Sequence, residues 1–317
     1  MKNFINEDKI FDILEETQSP SSQRVEAIIN KSLELKGLRP EEAAVLLNCN
    51  EKVVLNRIFE TAKQIKETIY GNRLVLFAPL YLSNRCVNNC LYCGFRKEHL
   101  NTETRCLNTN EIREETRALI SQGHKRLLIV SAEDPAVDID YVGKAIKTVY
   151  DTKEGNGGIR RVNINVAPMG VENFKRLKQT GIGTYQLFQE TYHGDTYSLL
   201  HTSGPKSDYL KRLYACDIAQ SAGIDDIGIG ALFGLYDYKF EVLALLFHTM
   251  HLEEVFGVGP HTISVPRLEQ AQGSNIASAP PYPVSDADLK KIIAVLRLAV
   301  PYTGIILSTR ENAALRN

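Results

Sequence analysis

The sequence has little that points to a nucleic acid, a membrane or a disulfide framework. Its formal net charge is only -1, so it has no basic excess of the kind that binds nucleic acid. The uncharged apolar stretch LVLFAPLYL is nine residues and too short to cross a bilayer, and the charged start MKNFINEDKIF lacks the apolar centre of a signal peptide. Six cysteines in 317 residues, three of them scattered, are not a disulfide framework. These absences favour a cytoplasmic protein without nucleic-acid or membrane partners.

The other three cysteines lie together in the segment NRCVNNCLYCGF, residues 84–95. The clustered thiols belong to Cys86, Cys90 and Cys93, and the scattered ones to Cys49, Cys106 and Cys216. Clustered thiols in a reducing compartment indicate metal ligands. Because a [4Fe–4S] cluster normally takes four thiolates, a loop with three leaves one iron open to another ligand. A structural zinc site, with Cys106 as a possible fourth ligand, is the alternative.

Helical patterns fill residues 1–70, and a strand–helix alternation begins at residue 74. Apolar residues at three- and four-residue spacing indicate helices in SSQRVEAIINKSLEL, RPEEAAVLL and EKVVLNRIFETAKQIKETIYG. Strands are predicted at 74–82, 126–132, 162–168, 184–189, 226–234, 262–268 and 304–310. The alternation predicts an α/β TIM-type barrel over residues 71–317, with its active site at the carboxyl ends of the strands. A doubly wound fold would need a glycine-rich turn where residues 82–95 carry thiols.

The cysteine spacing CxxxCxxC, with Tyr92 before the last cysteine, resembles the cluster loop of radical S-adenosylmethionine (SAM) enzymes. Longer segments, YLSNRCVNNCLYCGF, QETYH, GIDDIGIGALFGL, SVPRL and LSTRE, resemble the tyrosine lyases of that superfamily. These are the thiamine-pathway enzymes and the tyrosine-cleaving maturases of FeFe hydrogenase. RCVNNCLYCGFRKEH, GPHTISVPRLEQAQGS and LRLAVPYTGIILSTRE are more similar to the maturases. The resemblance runs from about residue 70 to the last residue.

This resemblance implies a lyase that uses a [4Fe–4S] cluster and SAM to cleave the Cα–Cβ bond of L-tyrosine to dehydroglycine and p-cresol. No protein nucleophile or acid–base residue is implied. The expected partners are an electron donor such as a ferredoxin or flavodoxin and other hydrogenase maturation proteins. In the full-length maturase, the reaction is expected to lead on to carbon monoxide and cyanide. The alternatives are a 2-iminoacetate synthase of thiamine biosynthesis and a non-enzymatic zinc protein.

Further residues at the strand ends are predicted to bind SAM. By the resemblance, Glu133 contacts the methionyl amino group, and Tyr92 belongs to the cofactor loop. Glu190 can accept hydrogen bonds from the ribose hydroxyls, while Arg212 holds the SAM carboxylate or pairs with Glu190. The small residues Gly230 and Ala231, in the run GIGALFG, would let adenine approach the backbone, although a strand glycine can also mark a bulge.

Arg310 and Ser308 are the candidates for binding the substrate. Both lie at the end of the last predicted strand. The guanidinium fork of Arg310 matches the carboxylate of a free amino acid, and the Ser308 hydroxyl adds a hydrogen bond. The alternative is a weakly stabilising ion pair between Arg310 and the adjacent Glu311.

The histidines give a weaker signal. His261 precedes the sixth predicted strand, so it is expected at the N-terminal end of the barrel, where residues are usually structural. The resemblance implies a different role, binding of a labile iron in a second iron–sulfur site. His248 and His251 stand at helical spacing, but no carboxylate or thiol partner is evident that would indicate a metal site.

The strand count predicts that this chain belongs to a longer protein. A closed barrel of this type has eight strands, and only seven residues follow Arg310. By the resemblance, the continuation holds the final βα unit and a C-terminal domain with the cysteines of the second iron–sulfur cluster. We therefore expect these 317 residues alone to release p-cresol but little carbon monoxide or cyanide.

Overall fold

Four consecutive helices precede a regular alternation of strands and helices in a computed structural model that describes residues 1–312. The helices are α1 Glu7–Glu16, α2 Ser22–Ser32, α3 Pro40–Asn48, α4 Lys52–Tyr70, α5 Thr109–Ser121, α6 Ile139–Asp151, α7 Val171–Gln179, α8 Gly194–Leu200, α9 Tyr209–Leu213, α10 Ala215–Ser221, α11 Tyr238–Phe256, α12 Asn275–Ser278 and α13 Asp286–Ala299, with a 3₁₀ turn at Pro205–Ser207. The strands are β1 Ala78–Ser83, β2 Arg126–Ser131, β3 Lys153–Glu154, β4 Gly157–Gly158, β5 Arg161–Asn165, β6 Thr184–Gln186, β7 Asp226–Gly230, β8 Thr262–Ser264 and β9 Gly304–Ile306. Residues 313–317, the end of the predicted barrel region, lie outside the described residues.

One parallel sheet contains all the strands except the short β3–β4 hairpin. Its order is β1-β2-β5-β6-β7-β8-β9, and every neighbouring pair is parallel. At least one helix lies between each strand of this sheet and the next strand of the same sheet along the chain. This is the arrangement of a TIM-type barrel, with β1 and β9 at the two ends of a curled half-barrel. The predicted α/β fold with seven strands is confirmed.

The strands are shorter than the apolar runs that predicted them. β1 begins at Ala78, where its pairing with β2 starts, and not at residue 74. The apolar side chains just before it are exposed, namely Leu74, Val75 and Leu76. The predicted runs also continue past the ends of β5 to β9, where the described pairing is reduced to isolated bridges such as Glu190 with Ala231. Apolar character predicted these strand boundaries wrongly, because a strand ends where the neighbouring strand no longer offers backbone groups for hydrogen bonding.

Side chains alternate between a buried outer face and an inner face of the sheet. Leu127 and Ile129 of β2 and Val162 and Ile164 of β5 are fully buried in the core under the helices. The intervening residues of both strands are partly exposed or exposed. They line the inner, concave side of the sheet, which we call the lumen.

The N-terminal helices pack on the outer helices of the barrel region. α1 contacts α11, and α3 and α4 contact α13. α1 was not among the helical segments singled out from the sequence, although Asn6 caps it by accepting from the Lys9 N–H at 3.0 Å and its Ile10 and Ile13 are buried. The division into a helical extension over 1–70 and a barrel over 71–317 stays a proposal. No helix within residues 1–312 is long and apolar enough to span a bilayer.

Candidate functional site

The cysteine loop follows β1 and therefore lies at the carboxyl ends of the strands. A second loop, residues 201–207, is hydrogen-bonded to it, with the Asn89 N–H donating to the Ser203 carbonyl at 3.0 Å. The approach requires glycine at position 204, because a Cβ there would lie 2.5 Å from Oδ1 of Asn88, and the φ of Gly204 is +91°. The two loops form one unit whose geometry fixes where the thiols stand.

The three clustered thiols are free and lie in different local environments. Burial raises the pKa of Cys90 to about 11 and also raises the pKa of Cys93. The sulfur of Cys93 accepts from the Phe95 N–H at 3.4 Å, and the sulfur of Cys86 lies 3.7 Å from the Asn88 amide nitrogen. Backbone and amide N–H groups directed at sulfur are the contacts that tune iron–sulfur clusters.

This set of donors fits an iron–sulfur cluster. Within residues 1–312 no three Cys, His, Asp or Glu side chains form a group spaced to hold one metal ion. Thiolates are the preferred ligands of iron–sulfur clusters, and coordination removes their protons even where burial favours the thiol. Cys86, Cys90 and Cys93 are thus suited to hold a cluster with one iron left open.

Asn88 connects the cysteine loop to the end of β2. Its Nδ2 donates to Oε2 of Glu133 at 2.8 Å, and the Val87 N–H donates to the Glu133 carbonyl at 2.8 Å. Its Oδ1 accepts from the Lys206 N–H at 2.8 Å. A groove opens beside this contact and is lined by Val87, Glu133, Val166, Met169 and Pro205 among others. One amide side chain therefore fixes the cysteine loop, the predicted SAM-binding Glu133 and the 201–207 loop relative to one another.

Glu190 lies at the same end of the sheet and is held by two cations. Its Oε1 accepts from Nζ of Lys206 at 2.6 Å and from Nη2 of Arg212 at 3.2 Å. Burial raises the pKa of Glu190, but the charges of Lys206 and Arg212 outweigh burial and hold the pKa below its usual value. The backbone φ of Glu190 is +73°, a strained conformation for a residue with a side chain. Such strain is concentrated at functional sites.

Tyr92 is buried and holds the cysteine loop through His201. Its hydroxyl lies 2.8 Å from Nε2 of His201, whose Nδ1 lies 2.8 Å from the Tyr197 carbonyl. Burial, reinforced by the charge of Lys206, lowers the pKa of His201 to about 3. The imidazole is therefore neutral, with Nδ1–H donating to the carbonyl and Nε2 accepting from Tyr92. The Tyr92 side chain thus links the cysteine loop to the 201–207 loop, and its cofactor-binding role stays a prediction.

The small residues at the end of β7 are required by packing. A Cβ on Gly230 would lie 2.7 Å from the Phe188 ring and 2.8 Å from the Ser264 carbonyl oxygen. Ala231 is fully buried and pairs with Glu190 through an isolated bridge. The space next to Gly230 is thus filled by neighbouring strands, and an adenine-binding role for these two residues stays a prediction.

Arg310 does not pair with Glu311, so the structural alternative is wrong. The Glu311 carboxylate is bound instead by both Nε and Nη2 of Arg267, at 3.1 and 2.5 Å. The Arg310 side chain is exposed, and within residues 1–312 no ion pair to it occurs. The Ser308 hydroxyl accepts from the Arg310 N–H at 3.1 Å, which places the two candidates for binding the substrate side by side.

The histidines are distributed as the sequence predicted, with one correction. His261 lies just before β8, at the N-terminal end of the sheet, where its Nδ1 is 3.7 Å from Oδ1 of Asp226. Its iron-binding role stays a prediction. His251 does have a carboxylate partner, Asp217 of α10, at 2.6 Å, contrary to the sequence analysis. The partner was missed because it lies 34 residues away on a different helix.

Three residues of the site were not identified from the sequence, namely Asn88, His201 and Lys206. Asn88 lies inside the cysteine motif, and its polarity between two ligands was an available signal. Lys206 stands 16 residues after Glu190, and His201 stands 109 residues after Tyr92. No spacing rule connects such positions, because the sheet and its loops bring them together.

Comparisons with known proteins agree with this geometry. The family model described as the Radical SAM superfamily matches residues 80–247, and that of the Biotin and Thiamin Synthesis associated domain matches residues 264–317. The 2-iminoacetate synthase of Salmonella typhimurium is 30% identical over 293 residues, which are 92% of this chain and 75% of that protein.

Two solved structures of HydG, a maturase of FeFe hydrogenase, are more similar to this chain than the Salmonella enzyme is. One is 55% identical with a TM-score of 0.96 over 99% of this chain and 69% of that chain. The other, from Carboxydothermus hydrogenoformans, is 43% identical with a TM-score of 0.90 over 98% of this chain and 71% of that chain. The greater similarity to maturases than to the thiamine-pathway enzyme, predicted from the motifs, is confirmed.

Proposed function

We propose that this chain, which belongs to the Radical SAM superfamily, is a lyase that cleaves the Cα–Cβ bond of L-tyrosine to dehydroglycine and p-cresol. Membership of the superfamily implies a [4Fe–4S] cluster and SAM. The observation that carries the proposal is the 55% identity to a HydG structure across 99% of this chain, together with three free thiols on the loop after β1. When bound, the cluster and SAM would supply a deoxyadenosyl radical able to take a hydrogen atom from the substrate amino group.

The residues of this chain would bind and orient the reactants. Cys86, Cys90 and Cys93 would hold the cluster. Glu133 would accept from the amino group of SAM, because its carboxylate faces the cysteine loop and is fixed by Asn88 at 2.8 Å. A carboxylate held in place by a neighbour loses less entropy when it binds a ligand.

Glu190 would accept hydrogen bonds from the ribose hydroxyls. Its Oε1 already accepts from Lys206 and Arg212, so the ligand would use Oε2 or remaining lone pairs. The two cations lower the pKa of Glu190 and favour its ionised form, in which both carboxylate oxygens act only as acceptors. Arg212 also donates from Nε to the Phe188 carbonyl at 2.7 Å, which leaves it a positioning residue for Glu190 more than a direct ligand of SAM.

Arg310 and Ser308 would bind the carboxylate of tyrosine. The guanidinium of Arg310 has no ion-pair partner among residues 1–312, so it is available for a bidentate contact with a carboxylate. The guanidinium of Arg267 is not available, because it is paired with Asp286 and Glu311. No side chain is required to attack the substrate or to act as an acid or base.

An anaerobic assay of the reconstituted protein with SAM, a reductant and tyrosine tests this function. Formation of 5′-deoxyadenosine and p-cresol in the presence of tyrosine is the expected result. Deoxyadenosine without p-cresol, when tyrosine is supplied, would exclude tyrosine cleavage.

A role in hydrogenase maturation is the physiological assignment that the higher identity to HydG supports. The alternative is 2-iminoacetate synthesis for thiamine, supported by the 30% identity to the Salmonella enzyme. Both roles release p-cresol, so the cleavage assay does not separate them. Expression in a strain that lacks its own 2-iminoacetate synthase separates the two roles. Growth of that strain without added thiamine would favour the thiamine-pathway role.

A further inference from the structure

The lumen of the sheet contains buried polar atoms that have no hydrogen-bond partner. Among the described residues these include both amide atoms of Gln186 and the hydroxyl oxygens of Thr262 and Ser264. Gln186 is 1% exposed and Ser264 2% exposed. Buried polar groups in native proteins are nearly always paired, so four unpaired atoms in one region indicate a missing partner.

Strand register places these side chains at adjacent levels of the lumen. Gln186, Gly228 and Thr262 are partners across β6, β7 and β8. Gly230 and Ser264 are partners one level nearer the carboxyl ends of the strands. A Cβ on Gly228 would lie 2.6 Å from Oγ1 of Thr262 and 2.8 Å from Cγ of Gln186. The absence of a side chain at Gly228 thus leaves room for both the Gln186 and the Thr262 side chains on the inner face.

An aromatic ring, that of Phe188, lies one level above Gln186 and Thr262. The ring of Phe188 is partly exposed and covers Gly230, where a Cβ would be 2.7 Å from Cδ1. The aromatic ring of a bound ligand could pack against Phe188 in a stacked or edge-to-face arrangement, both of which are favourable. Along the lumen from the carboxyl ends of the strands, the level with Phe188 and Ser264 therefore comes first, and the level with Gln186 and Thr262 lies beneath it.

The depth of the polar level matches the proposed substrate. Thr262 pairs with Gly304, and Ser264 pairs with Ile306. Ser308 follows Ile306 by two positions, so it stands at most about 7 Å above the Ser264 level and about 13 Å above the Thr262 level. If the carboxylate of tyrosine is bound at Ser308 and Arg310 and its ring points along the lumen towards the N-terminal ends of the strands, the phenol hydroxyl extends towards these two levels.

We propose that Gln186, Thr262 and Ser264 bind the phenol hydroxyl of tyrosine and thereby select tyrosine over phenylalanine. This inference rests on the proposed function, since it takes tyrosine as the substrate. An amide offers both a donor and an acceptor, and each hydroxyl can do either, which suits a neutral phenol that donates one hydrogen bond and accepts others. A site built to pair a hydroxyl rejects the analogue that lacks it strongly, because its own polar atoms would stay unpaired.

Binding without turnover tests the inference. The reconstituted protein is titrated with tyrosine and with phenylalanine in the presence of SAM and the absence of reductant, by calorimetry. We expect the wild type to bind tyrosine at least about a hundredfold more tightly than phenylalanine. Gln186→Leu should lose about ten- to a hundredfold of tyrosine affinity while phenylalanine affinity stays the same or rises. SAM affinity should not change.

Ser264→Ala is a second, milder variant in the lumen, and Gln220→Leu is the matched control outside it. Ser264→Ala removes only a hydroxyl and should cost about three- to tenfold in tyrosine affinity, so the inference is tested even where Gln186→Leu does not fold. Gln220 of α10 also has a buried amide oxygen without a partner but lies outside the lumen, so Gln220→Leu should change neither affinity.

The outcomes separate the inference from the proposed function. Failure of the wild type to bind tyrosine would count against the proposed function itself. Selective tyrosine binding that survives both Gln186→Leu and Ser264→Ala would overturn the inference alone, because the lumen atoms would then be paired by water.

Discussion

Replacing Lys206 with methionine removes the nearer of the two cations that hold Glu190. Its Nζ lies 2.6 Å from Oε1, and the side chains of Lys206 and Glu190 are 14% and 12% exposed. Removing one partner of a buried ion pair costs about 3 to 5 kcal/mol, because the remaining charge stays buried. Arg212 remains 3.2 Å from the same oxygen. We therefore expect the variant to lose about 3 kcal/mol in free energy of unfolding near neutral pH, at the low end of that range.

The pH dependence of this difference follows from the direction of the pKa shift. The pKa of Glu190 in the folded chain is below its ordinary value of 4.5, because the two cations outweigh the opposing effect of burial. The ion pair therefore stabilises the folded state fully above pH 4.5 and is lost as the pH falls through the lower, folded-state pKa. The difference between wild type and Lys206→Met should be constant near neutral pH and shrink in acid.

Urea unfolding of the metal-free chain under reducing conditions, followed by circular dichroism, measures both effects. Lys211→Met is the matched control, because Lys211 is an exposed lysine of α9 near Lys206, and it should change stability by less than about 0.5 kcal/mol. The reasoning is refuted if Lys206→Met resembles this control at neutral pH, or if its effect grows as the solution is acidified.

Three further predictions concern the cluster, the substrate and a buried acid. Cys93→Ala should lose the iron that the reconstituted protein binds and Cys106→Ala should keep it, as iron analysis would show; equal loss in both would favour the four-cysteine zinc site. Arg310→Lys should weaken tyrosine binding about ten- to a hundredfold with SAM binding unchanged, and equal tyrosine affinity in titrations would exclude Arg310 as the carboxylate ligand. Burial raises the pKa of Glu241 to about 8, so wild-type stability should fall from about pH 4.5 to about pH 8 and Glu241→Gln should flatten that slope; parallel unfolding profiles would contradict it.

The sequence by itself determined the fold class and the position of the candidate metal-binding loop. Apolar periodicity switching from helical spacing to short runs is a local property, and it predicted the strands of the sheet and their parallel order. Three thiols within eight positions are also local, so the spacing alone made Cys86, Cys90 and Cys93 the candidate metal ligands. Strand ends were predicted poorly, because each depends on a neighbouring strand that the local pattern does not contain.

Only the tertiary structure decided which side chains meet. Asn88 and Glu133 are 45 positions apart and touch because consecutive parallel strands bring their carboxyl ends to one edge of the sheet. In the folded chain Glu311 binds Arg267, which is 44 positions away, so Glu311 does not pair with the adjacent Arg310. The lumen residue Gln186 looked like an ordinary strand residue in the sequence. Its unpaired amide became visible only when strand register placed it beside Gly228 and Thr262, because burial and partners are properties of the folded chain.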